Sequence, residues 1–425
     1  MAILDALVSP YVGIVRSVEE VVGEPFDIRL PSLCCETGHL GPQQTGAGSG
    51  LDRDSARAAA IGEAVERYSA CETDHLEAVV GSARELGARA VAPDRFALHS
   101  RAQHARPGFP YRPFTADTPV AWVPAFSLPD GAPVLLPAQL VFLHWKLREG
   151  EERIARSTSS GLACRPTLEE ASLSGLLELL ERDAFMLTWK ARLSWPRVAW
   201  PSGSRLAAFE REFVAPTGLS VAALDLSAVW SVPTVLGVAR SSVPGEAPLG
   251  VGAAAATSIE SAATKAIDEA IRVRSWASAL RALDPGGESL PPPEEIRTFE
   301  QHIQFYAYER HLAATRFLDA SPERRAADGV EPLEGGTPSA QVRTLCERLS
   351  ERGLTAYVAD AAPPDVRTAG LCVARVVVPE LCALDVEHAA RYLGGVRLYK
   401  EPVRLGFCAR PLTEDELNPD PHPFP

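Results

Sequence analysis

Apolar residues recur with a helical period in six stretches, and residues 54–71, 168–193, 258–280, 299–317, 339–352 and 386–393 are expected to be helices. Shorter runs rich in β-branched and aromatic residues predict strands at 120–126, 133–142, 219–226, 233–239, 354–360 and 371–378. Pro129-Asp130-Gly131 is a turn signal that makes a hairpin of the first two. Strands and helices do not alternate regularly, so the pattern predicts an α+β fold over a doubly wound parallel sheet. The breaker-rich stretches at 284–293 and 320–338 read as surface loops. No short-period repeat is visible.

Composition narrows the class. In 425 residues, 46% are hydrophobic and 23% charged, as in soluble globular proteins, so wholesale disorder is excluded. The formal net charge of −13 argues against nucleic acid or an anionic membrane as a general partner. No apolar stretch approaches the ~18 residues of a spanning helix. The N-terminus carries Asp5 where a signal peptide needs bases, which points to the cytoplasm. Eight cysteines lie at 34, 35, 71, 164, 346, 372, 382 and 408 without a C-x-x-C pair, so they read as small buried hydrophobes.

No P-loop and no G-x-S-x-G elbow is present. Gly46-Ala-Gly-Ser-Gly50 runs directly into the first long helix and reads as a glycine-rich turn, either an ordinary tight turn or one presenting N–H groups to a phosphate. That helix carries Glu63, Glu66 and Arg67, which share one face at i, i+3 and i+4. A second helix repeats the arrangement with Ser174, Glu178, Glu181 and Arg182 among leucines. One such helix is ordinarily a solvated face with Glu–Arg pairs. Two copies of E-x-x-E-R change the balance, because like charges one turn apart repel unless a cation lies between them. Mg²⁺ prefers carboxylates plus phosphate oxygens, and arginines suit phosphates. A third helix adds Glu269, Arg272 and Arg274.

These pieces together resemble the YcaO family of ATP-dependent backbone-activating enzymes. The resemblance rests on residues 46–67, on the block from Gly161 to Ala184, and on the Glu269 helix. Similarity to the azoline-forming branch rests on Leu136-Pro-Ala-Gln-Leu-Val-Phe142, Phe299-Glu-Gln-His-Ile-Gln-Phe-Tyr306, Arg375-Val-Val-Val-Pro379, Leu393-Gly-Gly-Val-Arg397 and the closing Pro419-Asp-Pro421-His-Pro423-Phe-Pro425. The resemblance implies mixed sheets packed with helices, an ATP site between helices, one catalytic domain over 1–410, and a proline-rich tail, 411–425, reaching toward the active site.

It also implies a reaction. A Cys, Ser or Thr side chain of a ribosomal precursor peptide attacks the preceding amide, ATP phosphorylates the amide oxygen, and loss of phosphate leaves an azoline. By carry-over, Glu63, Glu66, Glu178 and Glu181 hold Mg²⁺. Ser174, Arg67, Arg182, Glu269, Arg272 and Arg274 bind ATP or orient the acids, and Pro425 is the catalytic end of the tail. Too few residues precede Gly46 for a leader-recognition domain, so a separate leader-binding protein is an expected partner. A homodimer is implied by the family. The chain departs from the family pattern at Ala59, Ser49 and Arg272. Two alternatives stand beside this reading: a thioamide-forming enzyme of the same family, and a non-catalytic scaffold, for which those departures are the support.

Overall fold

The computed structural model describes residues 2–23, 27–38, 45–73 and 76–425. It comprises two compact units, both discontinuous in sequence. The first is Met1–Val22, Leu30–Leu179 and Gly335–Glu380; the second is Gly23–Arg29, Leu180–Glu334 and Leu381–Pro425.

In the first unit β1 (Val15–Glu20), β2 (Ser32–Thr37) and β3 (Thr45–Ser49) form an antiparallel sheet in that order. There follow β4 (Val79–Gly81), β5 (Val120–Ser127), β6 (Pro133–Pro137) and β7 (Leu162–Arg165). The second unit holds β8 (Arg197–Ala199), β9 (Ser220–Asp225), β10 (Thr234–Arg240), β11 (Leu249–Ala255) and β12 (Arg324–Ala326), ordered β11-β10-β9-β8-β12. The chain then returns to the first unit with β13 (Tyr357–Asp360) and β14 (Cys372–Val377). These complete a sheet ordered β4-β5-β13-β14-β7, with β6 paired to β5.

The helices that matter for the site are α1 (Arg53–Cys71), α2 (Leu168–Ala191), α3 (Ile259–Leu283), α4 (Phe299–Phe305), α5 (Pro338–Ser350) and α6 (Val396–Arg404). Their starts are fixed locally. Asp52 accepts from the Ser55 N–H at 2.8 Å to begin α1, and Ser258, Thr298 and Thr337 cap α3, α4 and α5 in the same way. The division between the units falls inside α2, between Leu179 and Leu180.

One packing device occurs in both units. Small residues on α1, including Ala56, Ala60 and Ala64, are fully buried and let β3 lie directly on the helix. A Cβ on Gly46 would stand 2.3 Å from Ala60 O and 2.4 Å from Ala64 N. In the second unit a Cβ on Gly252 would stand 2.5 Å from Ala270 N and 2.7 Å from Ala266 O, so β11 lies equally close on α3. The helices match at four of six positions: Ala60-Ile61-Gly62-Glu63-Ala64-Val65 in α1 and Ala266-Ile267-Asp268-Glu269-Ala270-Ile271 in α3. The pair is a long-range match of one strand–helix unit and so is not a short-period repeat.

Several sequence expectations need correction. Gly46–Ser49 is not a turn but most of strand β3, its glycines used for close helix approach. The strand expected over 133–142 ends at Pro137. A helical turn follows, in which buried Gln139 donates to Glu152 O at 2.7 Å and accepts from the Ile154 N–H. The helix expected over 299–317 stops at Phe305, and a 3₁₀ segment, Glu309–Asp319, follows. Phe305, Tyr306, Ala307 and Tyr308 are all buried, which one continuous helix face cannot do. Residues 386–393 hold only one 3₁₀ turn, and the Asp385 carbonyl is bonded by the His422 side chain instead of by an amide one turn on. The loop at 320–338 contains β12, paired parallel to β8. Strands β1, β2, β4, β7, β8 and β11 had no expectation at all. Their alternation is masked by Glu, Cys, Gly and Ala.

Candidate active site

In the first unit, α1 and the start of α2 bring three carboxylates together. Burial, and then the charges of Glu178 and Glu63, push the Glu66 carboxyl well above the usual range, against the opposing pull of Arg67 and Arg165. Glu63 is tied on both oxygens: Oε1 pairs with Arg67 and Oε2 accepts the Ala47 N–H at 2.6 Å. Glu178 Oε2 accepts the Gly161 N–H at 3.2 Å. Ser174 lies one helical turn before Glu178, half-buried.

The second unit repeats the pattern. Glu269 Oε2 accepts the Ala253 N–H at 2.8 Å, and Glu181 Oε2 accepts the Ala255 N–H at 3.1 Å. Glu181 Oε1 lies 3.2 Å from Arg182 Nε. The donors share a property. β3 and β11 end their sheets, and Gly161 leads into β7, which ends the third. Each glutamate therefore caps an N–H at a sheet edge that, among the described residues, has no further strand to pair with. Holding one oxygen this way fixes the orientation of the carboxylate.

The remaining predicted residues are placed as follows. Arg272 pairs with Asp268 at 2.9 Å on its own helix. Arg274 is 2% exposed and meets Glu246 at 2.6 Å and Asp27 at 3.5 Å, so it works as an internal ion pair. Arg182 Nη1 donates to Pro425 O at 3.3 Å, and its guanidinium lies 4.3 Å from the centre of the Phe424 ring. The tail is thus packed in place, with Phe424 fully buried. It is not the floppy polyproline segment that its composition alone permits.

Sequence reasoning missed the residues that hold this tail: Trp189, His302, Tyr306, His388 and Arg391. A signal existed. His302 and Tyr306 are spaced i, i+4 and lie in a motif already singled out. The other motifs are structural. Arg375 donates to Thr158 O at 2.7 Å, and Arg397 binds Asp183.

Among the described residues no group of three or more His, Cys, Asp or Glu side chains is arranged as a metal cage. Mg²⁺ is ordinarily held by one or two carboxylates, with phosphates and water completing its octahedron. The carboxylate cluster at Glu66 fits the same ion. Its members repel one another, and a divalent cation would relieve that repulsion.

A family model described as YcaO cyclodehydratase, ATP- and Mg²⁺-binding, matches residues 47–382. The chain belongs to the YcaO family. ATP and Mg²⁺ are accordingly its cofactors, and its mixed sheets and helices are those of YcaO structures. An uncharacterized protein of Methanothermobacter thermautotrophicus is 27% identical over 397 residues, covering 89% of this chain and 93% of that protein. A heterocyclase solved in complex with substrate and cofactor superposes with a TM-score of 0.82 at 26% identity, over 99% of this chain and 56% of that one. The heterocyclase TruD gives 0.69 at 26% identity, over 88% and 52%. This YcaO chain spans about half the length of those two heterocyclases. YcaO from Methanopyrus kandleri, bound with AMPPCP and Mg²⁺, shares the fold with a TM-score of 0.61 at 20% identity, over 89% and 88%. No helix among the described residues is long and apolar enough to cross a membrane.

Proposed function

We propose that this chain is an ATP-dependent cyclodehydratase subunit that converts Cys, Ser or Thr residues of a ribosomal precursor peptide to azolines. The observation that carries the reading is the cluster of Glu66, Glu178 and Glu63, a set of mutually repelling carboxylates in a chain of an ATP- and Mg²⁺-binding family. The similarity to heterocyclases over nearly the whole chain supports azoline formation.

In the reaction, the substrate side chain adds to the preceding amide carbon and gives up its proton. The former amide oxygen takes the γ-phosphoryl group of ATP, and ADP leaves. The C–O bond then breaks, phosphate leaves with the oxygen, and the amide nitrogen loses its proton to form the C=N bond. Glu63, Glu66, Glu178 and Glu181 are assigned to Mg²⁺, which they would hold. The metal neutralises charge on the phosphates when bound. Arg67 and Arg182 are assigned to phosphate oxygens, and Ser174 to a hydrogen bond at the nucleotide. Glu269, with Arg272 and Arg274 bracing α3, completes the set. Pro425 stands beside Arg182 at the catalytic end of the tail. Electrostatic stabilisation of the transferring phosphoryl group provides most of the catalysis.

The proposal includes a cytoplasmic protein with one catalytic domain over 1–410, a homodimeric assembly, and a separate protein that grips the precursor's leader. The test begins with calorimetric binding of ATP to the purified chain, with and without Mg²⁺, beside Glu66→Ala and Glu178→Ala. Mg²⁺-dependent binding lost in both variants is expected. Product mass then separates the chemistries, since ring closure lowers the peptide mass and thioamide formation raises it. A Glu178→Ala enzyme that still forms rings would sink the proposal.

A further inference from the structure

Residues 418–422 of the second unit lie outside any helix or strand, yet five consecutive carbonyl oxygens each meet a side-chain donor. Arg391 donates to Asn418 O, His388 Nε2 lies 2.8 Å from Pro419 O, and Trp189 Nε1 donates to Asp420 O at 3.1 Å. Tyr306 Oη donates to Pro421 O at 2.6 Å, and His302 Nδ1 lies 3.0 Å from His422 O. Prolines at 419 and 421 have no N–H, so a β-ladder cannot hold this segment in full. The side chains replace the ladder. Trp189, Tyr306 and His302 are all nearly or fully buried, so these donors have no water to turn to.

The ladder leads to one place. The His422 ring stacks on His302 with centroids 4.0 Å apart, and its Nε2 lies 2.7 Å from Asp385 O. Its Nδ1 accepts the Phe424 N–H at 3.3 Å. Phe424 then packs on Phe185, 4.6 Å between centroids, and under the Arg182 guanidinium. Arg182 in turn lies against Glu181. A chain of contacts therefore runs from α4 through the tail to the arginine of the second E-x-x-E-R motif.

We propose that Tyr306 and His302 are positioning residues for Arg182. They act through the carbonyls of Pro421 and His422, which set where Phe424 lies and hence where the guanidinium points. This rests on the assignment of Arg182 to ATP phosphates. The ligand consequence is specific. The residues affect affinity for the phosphates of Mg²⁺–ATP and not for the nucleoside portion.

The test uses the full chain with Tyr306→Phe, which removes one hydroxyl, and His302→Leu, with His302→Gln restoring a donor. Hydrogen exchange at the His422 and Phe424 amides is expected to quicken in Tyr306→Phe and His302→Leu and to be partly restored in His302→Gln. Calorimetry should show Mg²⁺–ATP binding weakened about tenfold, the size of one lost hydrogen bond at a charged group, with adenosine binding unchanged. In an Arg182→Ala background the same changes should add nothing. Wild-type chain that fails to bind Mg²⁺–ATP overturns the nucleotide assignment itself. Wild-type binding with a loosened tail and unchanged ATP affinity overturns only this inference. So does an effect that persists undiminished without Arg182, or a tail that stays protected in both Tyr306→Phe and His302→Leu.

Discussion

Arg397 closes on Asp183 through two hydrogen bonds, Nε to Oδ1 at 3.1 Å and Nη2 to Oδ2 at 2.6 Å. Asp183 is fully buried and also accepts from the Trp230 indole and the Cys382 N–H. The pair pins α6 to α2 immediately beyond Glu181 and Arg182. Arg397→Leu leaves a buried charge without its cation and is expected to cost about 3–5 kcal/mol. Replacing both residues by leucine should recover part of that loss, because no charge then stays unpaired. Urea denaturation of the single and double variants checks both values.

Glu66 should behave as a residue strained by its neighbours in the metal-free protein. Its carboxyl titrates well above the usual range, so the folded state holds a proton that the unfolded state has released. Folding stability therefore falls as pH rises above about 4.3, the ordinary glutamate value, toward the raised value. Glu66→Gln is expected to be more stable than wild type at pH 8 without Mg²⁺, the difference closing as pH falls to 4. The same change should weaken Mg²⁺–ATP binding at least about tenfold, since a charged ligand is lost. Melting curves at the two pH values, with calorimetry, would show it.

The glycine contacts predict a cost set by sterics alone. Gly46→Ala and Gly252→Ala each place a methyl about one ångström inside backbone contact distance, forcing β3 off α1 or β11 off α3. Each is expected to destabilise by about 1–3 kcal/mol. Gly203→Ala meets nothing within 4 Å and serves as the neutral control. Because the displaced strands carry Ala47 and Ala253, both core substitutions should also weaken Mg²⁺–ATP binding, through Glu63 and Glu269 respectively.

The histidines around the tail give a pH signature. Burial pushes His388 down to about 4, with Arg391 and His302 adding to the effect and Asp385 opposing it. Its folded value lies below its unfolded one, so its contribution is present above about pH 6.5 and is lost as pH falls toward 4. His422 is shifted the same way by burial, and protonating its Nδ1 removes the acceptor of the Phe424 N–H. The protection factor of the Phe424 amide is expected to fall as pH drops below 6.5. His388→Gln, which keeps a donor for Pro419 O but does not titrate, should show a smaller change.

The long helices and their E-x-x-E-R faces were legible in the sequence, because helical period and N-caps such as Asp52 and Ser258 are local. So was the α+β class, and the glutamates of α1, α2 and α3 were singled out there as candidates. The strands that complete the site were not. β3 and β11 are built from Gly and Ala, which carry no alternation, and they are strands only because a helix lies against them.

The tail shows the same limit. Its prolines declare what it cannot do, which is to continue a helix or fill a central strand. Where it goes is settled by His302, 120 residues away, by Trp189, 231 away, and by Arg182, 243 away. The sequence by itself determined the donor types, the helices and their charged faces, since these depend on neighbours within a turn or two. Only the tertiary structure decided which N–H each glutamate caps, which carbonyls the tail presents and which arginines are already spent on internal partners. Those are pairings between distant segments, and a single chain read in order carries no record of them.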